Sequence, residues 1–362
     1  MTKTVQARAP AKAILFGEHY VVYGAPGLVA AIEPRNEITL SAEESDRPGL
    51  EYRSTLKEND IDVEWVGGEE AHRTSAPSAP RPLAPPPIHP YAALYRKLAG
   101  EYPALGRLRI HARVKKAWPL KGVGNSASLG VALGAGLRAM AGEKRTTPQI
   151  AFEDGQSADE VAHGGGRPSG IDASAAAYGG VIEFQKDFAH PLKPKIKPME
   201  MAPMREAGFL LIDTHAAGEP RASTAELVAG FGRAHGIEKK PGELSASERE
   251  EVCAPYQTLF LQAQKALVKG DWKRVGELMD LDHRLLREKG VSSPGIEKAV
   301  SICKSTGALG AKLSGAGGVG GVVIALVERK SRARLEKELG AAGFKAYAFK
   351  VSEEGASAKF KK

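Results

Sequence analysis

Apolar residues recur along this chain in two rhythms. Across 107–114, Leu108, Ile110, Ala112 and Val114 alternate with Arg107, Arg109, His111 and Arg113, the period of two that marks a half-buried strand. From Leu129 onward, Leu133, Leu137 and Met140 follow at spacings of three and four, with Ala and Gly between them. That spacing predicts a helix, largely buried and closely packed. The same reading predicts strands at 4–9, 28–32, 37–40, 179–184, 208–213, 322–327 and 344–351. Helices are predicted at 91–99, 149–162, 225–231, 256–267, 272–288 and 296–306.

At 362 residues the chain suits two domains. The polar, Pro- and Lys-containing stretch 186–203 is the expected boundary, dividing 1–190 from 200–362. A compositionally distinct insertion spans about 41–90, and its second half, 75–90, reads SAPSAPRPLAPPPIHP, too rich in proline for a regular element.

Charge narrows the class of ligand. The net charge of +8 and pI near 9.3 suit an anionic ligand. Nucleic acid is disfavoured, because aromatics are few and the basic residues are dispersed, except at the tail (Lys359, Lys361, Lys362). Cys253 and Cys303 form no disulfide framework and no metal spacing, and read as reduced thiols of a cytoplasmic protein. The first ten residues are polar, and the longest apolar run, 322–327, is far too short to span a bilayer, so no membrane partner is expected.

Chemistry concentrates in three places. First, 119–128 (PLKGVGNSAS) lies between the strand at 107–114 and the helix ending at Met140, so glycines sit where a loop opens into a helix. Such a bend aims backbone N–H groups, and a partial positive charge, at one point, and can hold phosphate. A serine cap on an ordinary buried helix is the competing reading. A P-loop is excluded because no Gly-Lys-Ser/Thr closes the turn. The Gly122-x-Gly124-x-x-Ala127 spacing fits a dinucleotide fingerprint, yet 115–121 intervenes where that motif needs a tight turn. Second, Lys12, Glu18 and His19 sit among Ile14, Leu15, Phe16, Val21 and Val22, so these polar groups are expected to line a cleft. Third, Gly315, Gly317, Gly318, Gly320 and Gly321 separate two strands, as a tight hairpin against something bulky. Between the first and third, Asp172 follows a Gly-rich loop at 164–170, where it could simply cap a short helix at 173–178.

Together the Lys12 block, the Gly122 loop and the Gly315 loop resemble the GHMP kinases. Within them, Phe16-Gly-Glu-His-Tyr-Val-Val-Tyr-Gly24 and Pro168-Ser-Gly-Ile-Asp172 resemble the branch that phosphorylates mevalonate, as does Val291-Ser-Ser-Pro ahead of Gly310-Ala-Lys-Leu-Ser-Gly-Ala-Gly-Gly318. The resemblance implies an α+β fold with an N-terminal mixed α/β domain, a C-terminal ferredoxin-like domain and the active site between them. It implies ATP- and Mg²⁺-dependent phosphorylation of the 5-hydroxyl of mevalonate, in isoprenoid biosynthesis. By the same resemblance Asp172 and Lys12 are catalytic. Lys121, Gly122, Val123, Gly124, Asn125, Ser126, Ala127 and Ser128, with Gly315, Ala316 and Gly317, are assigned to the nucleotide. Glu18, His19, Ile171 and Thr224 are assigned to the substrate, and Ser126 and Glu160 to Mg²⁺. Asn125 and Val319 stand where the family pattern has Ser and Gly, and 163–168 is longer than the pattern. A phosphomevalonate kinase is the near alternative, and a nicotinamide-dependent oxidoreductase or a non-catalytic metabolite-binding protein are remote ones. A homodimer is left open.

Overall fold

The computed structural model describes residues 3–54, 62–66, 70–74, 90–163, 168–215, 219 and 221–361. Most of the Pro-rich stretch and the loop 164–167 lie outside the described residues.

Two sheets carry the architecture. The first is built on β1 (Lys3–Phe16) and β2 (Gly27–Glu44), a long antiparallel pair. The strand predicted at 4–9 therefore runs on through Pro10 to Phe16. Proline is tolerated because the register jumps there, from Ala9 opposite Asn36 to Ala11 opposite Ile32, so Pro10 and Pro34 both sit in the irregular step. Lys12 follows directly on that step. Beside β2 lie β3 (Gly49–Ser54), β4 (Asp62–Val66), β5 (Glu70–Thr74) and β6 (Leu108–Lys115), and the sheet runs β1-β2-β6-β3-β4-β5. At its other end β2 pairs with β7 (Val181–Gln185), which pairs with β8 (Lys195–Met199). Residues 41–54 are thus ordinary sheet, which corrects the insertion start expected near 41. Alternation of buried Leu40 and Ala42 with half-buried Ser41 was the available signal.

Helices α1 (Pro90–Glu101), α2 (Asn125–Met140), α3 (Pro148–Ala162) and α4 (Ile171–Tyr178) pack together over this sheet. α2 is buried along nearly its whole length, and its glycines allow the close approach: a Cβ at Gly134 would lie 2.7 Å from Asp154 of α3.

The second sheet has the order β10-β11-β9-β12, from β9 (Ala207–Asp213), β10 (Gly310–Ser314), β11 (Val322–Glu328) and β12 (Lys345–Ala348), all antiparallel. Helices α5 (Thr224–Arg233), α6 (Ala246–Lys269), α7 (Trp272–Glu288) and α8 (Pro294–Ser305) connect β9 to β10, and α9 (Arg329–Ala341) connects β11 to β12. The order of strands and helices is that of a ferredoxin-like unit. The chain then returns: β13 (Lys350–Val351) pairs with β2, and β14 (Ser357–Phe360) covers the outer edge of β1. The last residues of the segment 200–362 therefore belong to the first sheet. One apolar core crosses the seam, joining Phe16 and Tyr20 to Phe231, Tyr256 and Leu313. Among the described residues no helix is long and apolar enough to cross a membrane.

Candidate active site

The bend at the start of α2 faces the seam. Gly122 and Gly124 have φ of 86° and 71°, a region glycine enters freely. The first helical bond is Ser128 N–H to Gly124 O, at 3.0 Å. The N–H groups of Asn125, Ser126 and Ala127 precede it and have no partner within the helix. Ser126 is exposed at this point, whereas Val123 and Ala127 are buried. Lys121 is exposed in the loop. Burial and the nearby Lys121 charge together push the Lys116 amine down, so two cations adjoin the bend.

The loop is tied from below by a residue the sequence reading missed. Asn36, fully buried in β2, donates to Asn125 Oδ1 and to Ser128 Oγ, both at 3.1 Å, and accepts from Ala117 N–H at 2.8 Å. Asn125 Nδ2 in turn donates to Trp118 O and Leu120 O, each at 3.2 Å, and Ser128 Oγ donates to Ala9 O at 3.0 Å. The side chains of Asn125 and Ser128 therefore fasten the loop. What Asn125 offers a nucleotide is therefore its backbone N–H, not its side chain. Asn36→Ala would strand these buried partners, so it is expected to destabilise the fold by about 1–3 kcal/mol. It should also raise the KM for nucleotide; chemical denaturation and initial rates check both.

Lys12 closes the bend. Its Nζ donates to Gly122 O at 2.9 Å and lies 3.2 Å from Asp172 Oδ1. Asp172 is not the cap of α4: Gly170 holds that position, with φ 91°, and Asp172 sits in the first turn. The Lys12 ammonium of this pair is buried, while the Asp172 carboxylate is 31% exposed and open to solvent. A Cβ at Gly124 would lie 3.1 Å from both Asp172 Oδ2 and Lys12 Cγ, so glycine is needed for the close approach.

Asp159 of α3 completes the group, and Glu160 does not. Asp159 and His163 line the cavity, and burial, followed by the Asp172 charge, pushes the Asp159 carboxyl up to about 6. Neighbouring positions on a helix of 3.6 residues per turn point about 100° apart, so both acids cannot face the same space. The cavity-lining acid is thus Asp159, and Glu160, which the resemblance assigned to Mg²⁺, is not among the lining residues. Two carboxylates against the single Lys12 ammonium leave excess negative charge. Such an excess suits a hard divalent cation. Among the described residues no group of three or more His, Cys, Asp or Glu is arranged to hold an ion alone.

The glycine loop at 315–321 lies across the seam from these groups. A Cβ at Gly315 would be 3.4 Å from Gly122 O and 4.0 Å from Lys12 Nζ. Gly317 is packed on Val291: a Cβ there would fall 2.2 Å from Val291 O, which also accepts from Gly318 N–H at 2.8 Å. Val319 needs no glycine, since His19 has the one positive φ among described non-Gly residues.

His19 joins this loop to the first sheet. Its Nε2 lies 2.9 Å from Ala316 O, which can only accept, so Nε2 carries a hydrogen. It stacks on Phe231, with ring centroids 5.0 Å apart. Burial pushes its pKa down to about 4. A depressed basic group contributes stability above its unfolded pKa near 6.5 and loses it as pH falls through the folded value. About 3 kcal/mol should thus be lost between pH 6.5 and 4. Urea titrations of the parent and His19→Asn across that range should differ by this slope, and parallel curves would refute it.

Glu18 is placed otherwise than expected. Although it borders the cavity, its fully buried carboxylate is paired with Lys312 of β10, which also lies 3.3 Å from Asp282 of α7. A lysine in the middle of an otherwise small and apolar strand was the missed signal.

These groups border a cavity of about 1150 Å³ that runs along the seam. Lys12, Gly122, Asp159, Asp172 and Gly315 stand together; Ile14, Ile171, His19 and the exposed Thr224 line the adjoining space.

Comparison with known proteins agrees with this geometry. Residues 263–345 match the family model for the GHMP kinases C terminal domain. The chain is 28% identical to the mevalonate kinase of Aeropyrum pernix over 359 residues, covering 98% of each chain. It is 30% identical to that of Pyrococcus furiosus over 342 residues, covering 91% of this chain and 90% of the other. It superposes on the crystal structure of L. major mevalonate kinase in complex with R-mevalonate with a TM-score of 0.71 at 28% identity, covering 96% of each chain. With three motifs converging on one seam and relatives matched end to end, the chain belongs to the mevalonate kinase family of the GHMP kinases.

Proposed function

We infer that this chain transfers the terminal phosphoryl group of ATP to the 5-hydroxyl of mevalonate, giving 5-phosphomevalonate. The observation that supports it best is the convergence of Lys12 and Asp172 at the N-terminus of α2, with Asp159 beside them and the Gly315 loop opposite.

Phosphoryl transfer has a loose transition state, so catalysis rests on positioning and charge stabilisation. The unpaired N–H groups of Asn125, Ser126 and Ala127 hold phosphate oxygens, aided by the helix dipole. Ser126 and Asp159 are the residues to hold Mg²⁺. The ion, when bound, screens phosphate charge and draws the oxygens into alignment. Asp172 takes the proton from the substrate hydroxyl as its oxygen attacks phosphorus. Lys12 pairs with Asp172 and stabilises the charge that builds on the transferred group. Ile14, Ile171 and Val21 give the substrate an apolar wall, while His19 and Thr224 offer polar contacts. The reading places the enzyme in the cytoplasm, in isoprenoid biosynthesis, with small molecules as partners and neither nucleic acid nor membrane.

A coupled ADP-release assay over mevalonate, phosphomevalonate, galactose and homoserine tests it. Mevalonate should exceed the others in kcat/KM by about 100-fold or more. Preference for phosphomevalonate, or no ADP release with any of the four, would overturn the assignment.

A further inference from the structure

Resting on that reading of the site, we propose that Lys312 is a positioning residue: it sets the glycine loop at 315–317 in register against the strand that carries Lys12, through a buried ionic contact across the seam.

Among the described residues β10 is an edge strand that pairs on one side only, with β11. Its outward N–H groups need other partners. Ala311 N–H donates to Asp280 Oδ1 at 3.0 Å and Leu313 N–H to His283 Nδ1 at 3.3 Å, both on α7. Between them, Lys312 lies 3.3 Å from Asp282 Oδ2 on the same helix. α7 therefore grips β10 at three successive residues.

Contacts to the segment 14–19, at and just beyond the end of β1, come from alternate residues. Lys312 Nζ donates to Glu18 Oε1, Ser314 Oγ to Ile14 O at 3.1 Å, and Ala316 O accepts from His19 at 2.9 Å. Residues 312, 314 and 316 thus all contact the segment 14–19, which begins two residues beyond Lys12. Lys312 is the one of these that also holds α7. Its Nζ donates to Glu18 Oε1 and to Leu313 O, the latter at 2.9 Å, and lies within ion-pair distance of Asp282. Side chains of Lys312, Glu18 and Asp282 are all fully buried, so water cannot substitute for a lost partner.

A buried ammonium between two buried carboxylates could serve folding alone. Its placement argues for more. Glu18 is bonded through the chain to His19, and Lys312 lies three residues before Gly315, which faces Gly122 O and Lys12 Nζ. A shift at Lys312 is therefore delivered to both sides of the reacting group. Displacements near 1 Å at such a site cost up to about 100-fold in rate.

Two variants separate positioning from folding. The neutral triple variant Glu18→Gln/Lys312→Met/Asp282→Asn removes every charge together, and Glu18→Asp keeps the charges but shortens the reach. Both are expected to remain folded, with kcat lowered about 10- to 100-fold in the triple variant and by less in Glu18→Asp. In both, the KM for ATP should rise. Parent kcat and KM in a folded variant of either kind would overturn the proposal. Loss of the folded state in both would assign the cluster to folding and overturn it equally. Failure of the underlying reading is distinguishable, since the parent itself would then release no ADP with mevalonate.

Discussion

Asp172→Ala is expected to lower kcat by about 10²–10⁴, the range for a lost acid–base group. Its ATP affinity should stay close to the parent's, because the phosphate donors are backbone N–H groups at 125–127. The fold should survive, since the buried Lys12 ammonium keeps its bond to Gly122 O. Stopped-time ADP assays, equilibrium nucleotide titration and thermal unfolding separate these three outcomes. A folded variant with near-parent turnover would remove Asp172 from the chemistry. Collapse of the fold without a catalytic defect in the surviving fraction would make the pair structural.

A second large effect distinguishes adjacent residues of one helix. Asp159→Asn is expected to lower kcat by about 100-fold or more and to raise the Mg²⁺ concentration needed for half-activity. Glu160→Gln should stay within about twofold of the parent, a surface-like change on a half-buried side chain that does not border the cavity. Activity measured across a Mg²⁺ series in both variants reads the difference. The reverse pattern would restore Glu160 to the site.

Particular residues show how much of this was legible in the sequence. Periodicity marked α2 and β6 because their faces are repetitive and local. The three motifs marked the seam, because glycine is needed where backbone meets backbone, as at Gly124 beside Lys12 and Asp172. What escaped is non-local. Asn36 is one polar residue in a strand until its amide is seen to bridge Asn125, Ser128 and Ala117, all 80 or more positions away in the chain. Lys312 became meaningful once Glu18, 294 positions earlier, was found beside it. Asp159 and Glu160 are adjacent on α3, and one residue of helical phase cannot be fixed from sequence through a following loop of altered length. The return of β14 to the edge of β1 left no local mark either, since edge pairing depends on which edge lies open.

The most direct test is a crystal structure with a non-hydrolysable ATP analogue, Mg²⁺ and mevalonate bound together. The account expects the terminal phosphate on the N–H groups of 125–127, Mg²⁺ on Ser126 and Asp159, and the 5-hydroxyl within about 3 Å of an Asp172 oxygen. A terminal phosphate seated away from the α2 N-terminus, or a 5-hydroxyl turned from Asp172, would contradict it.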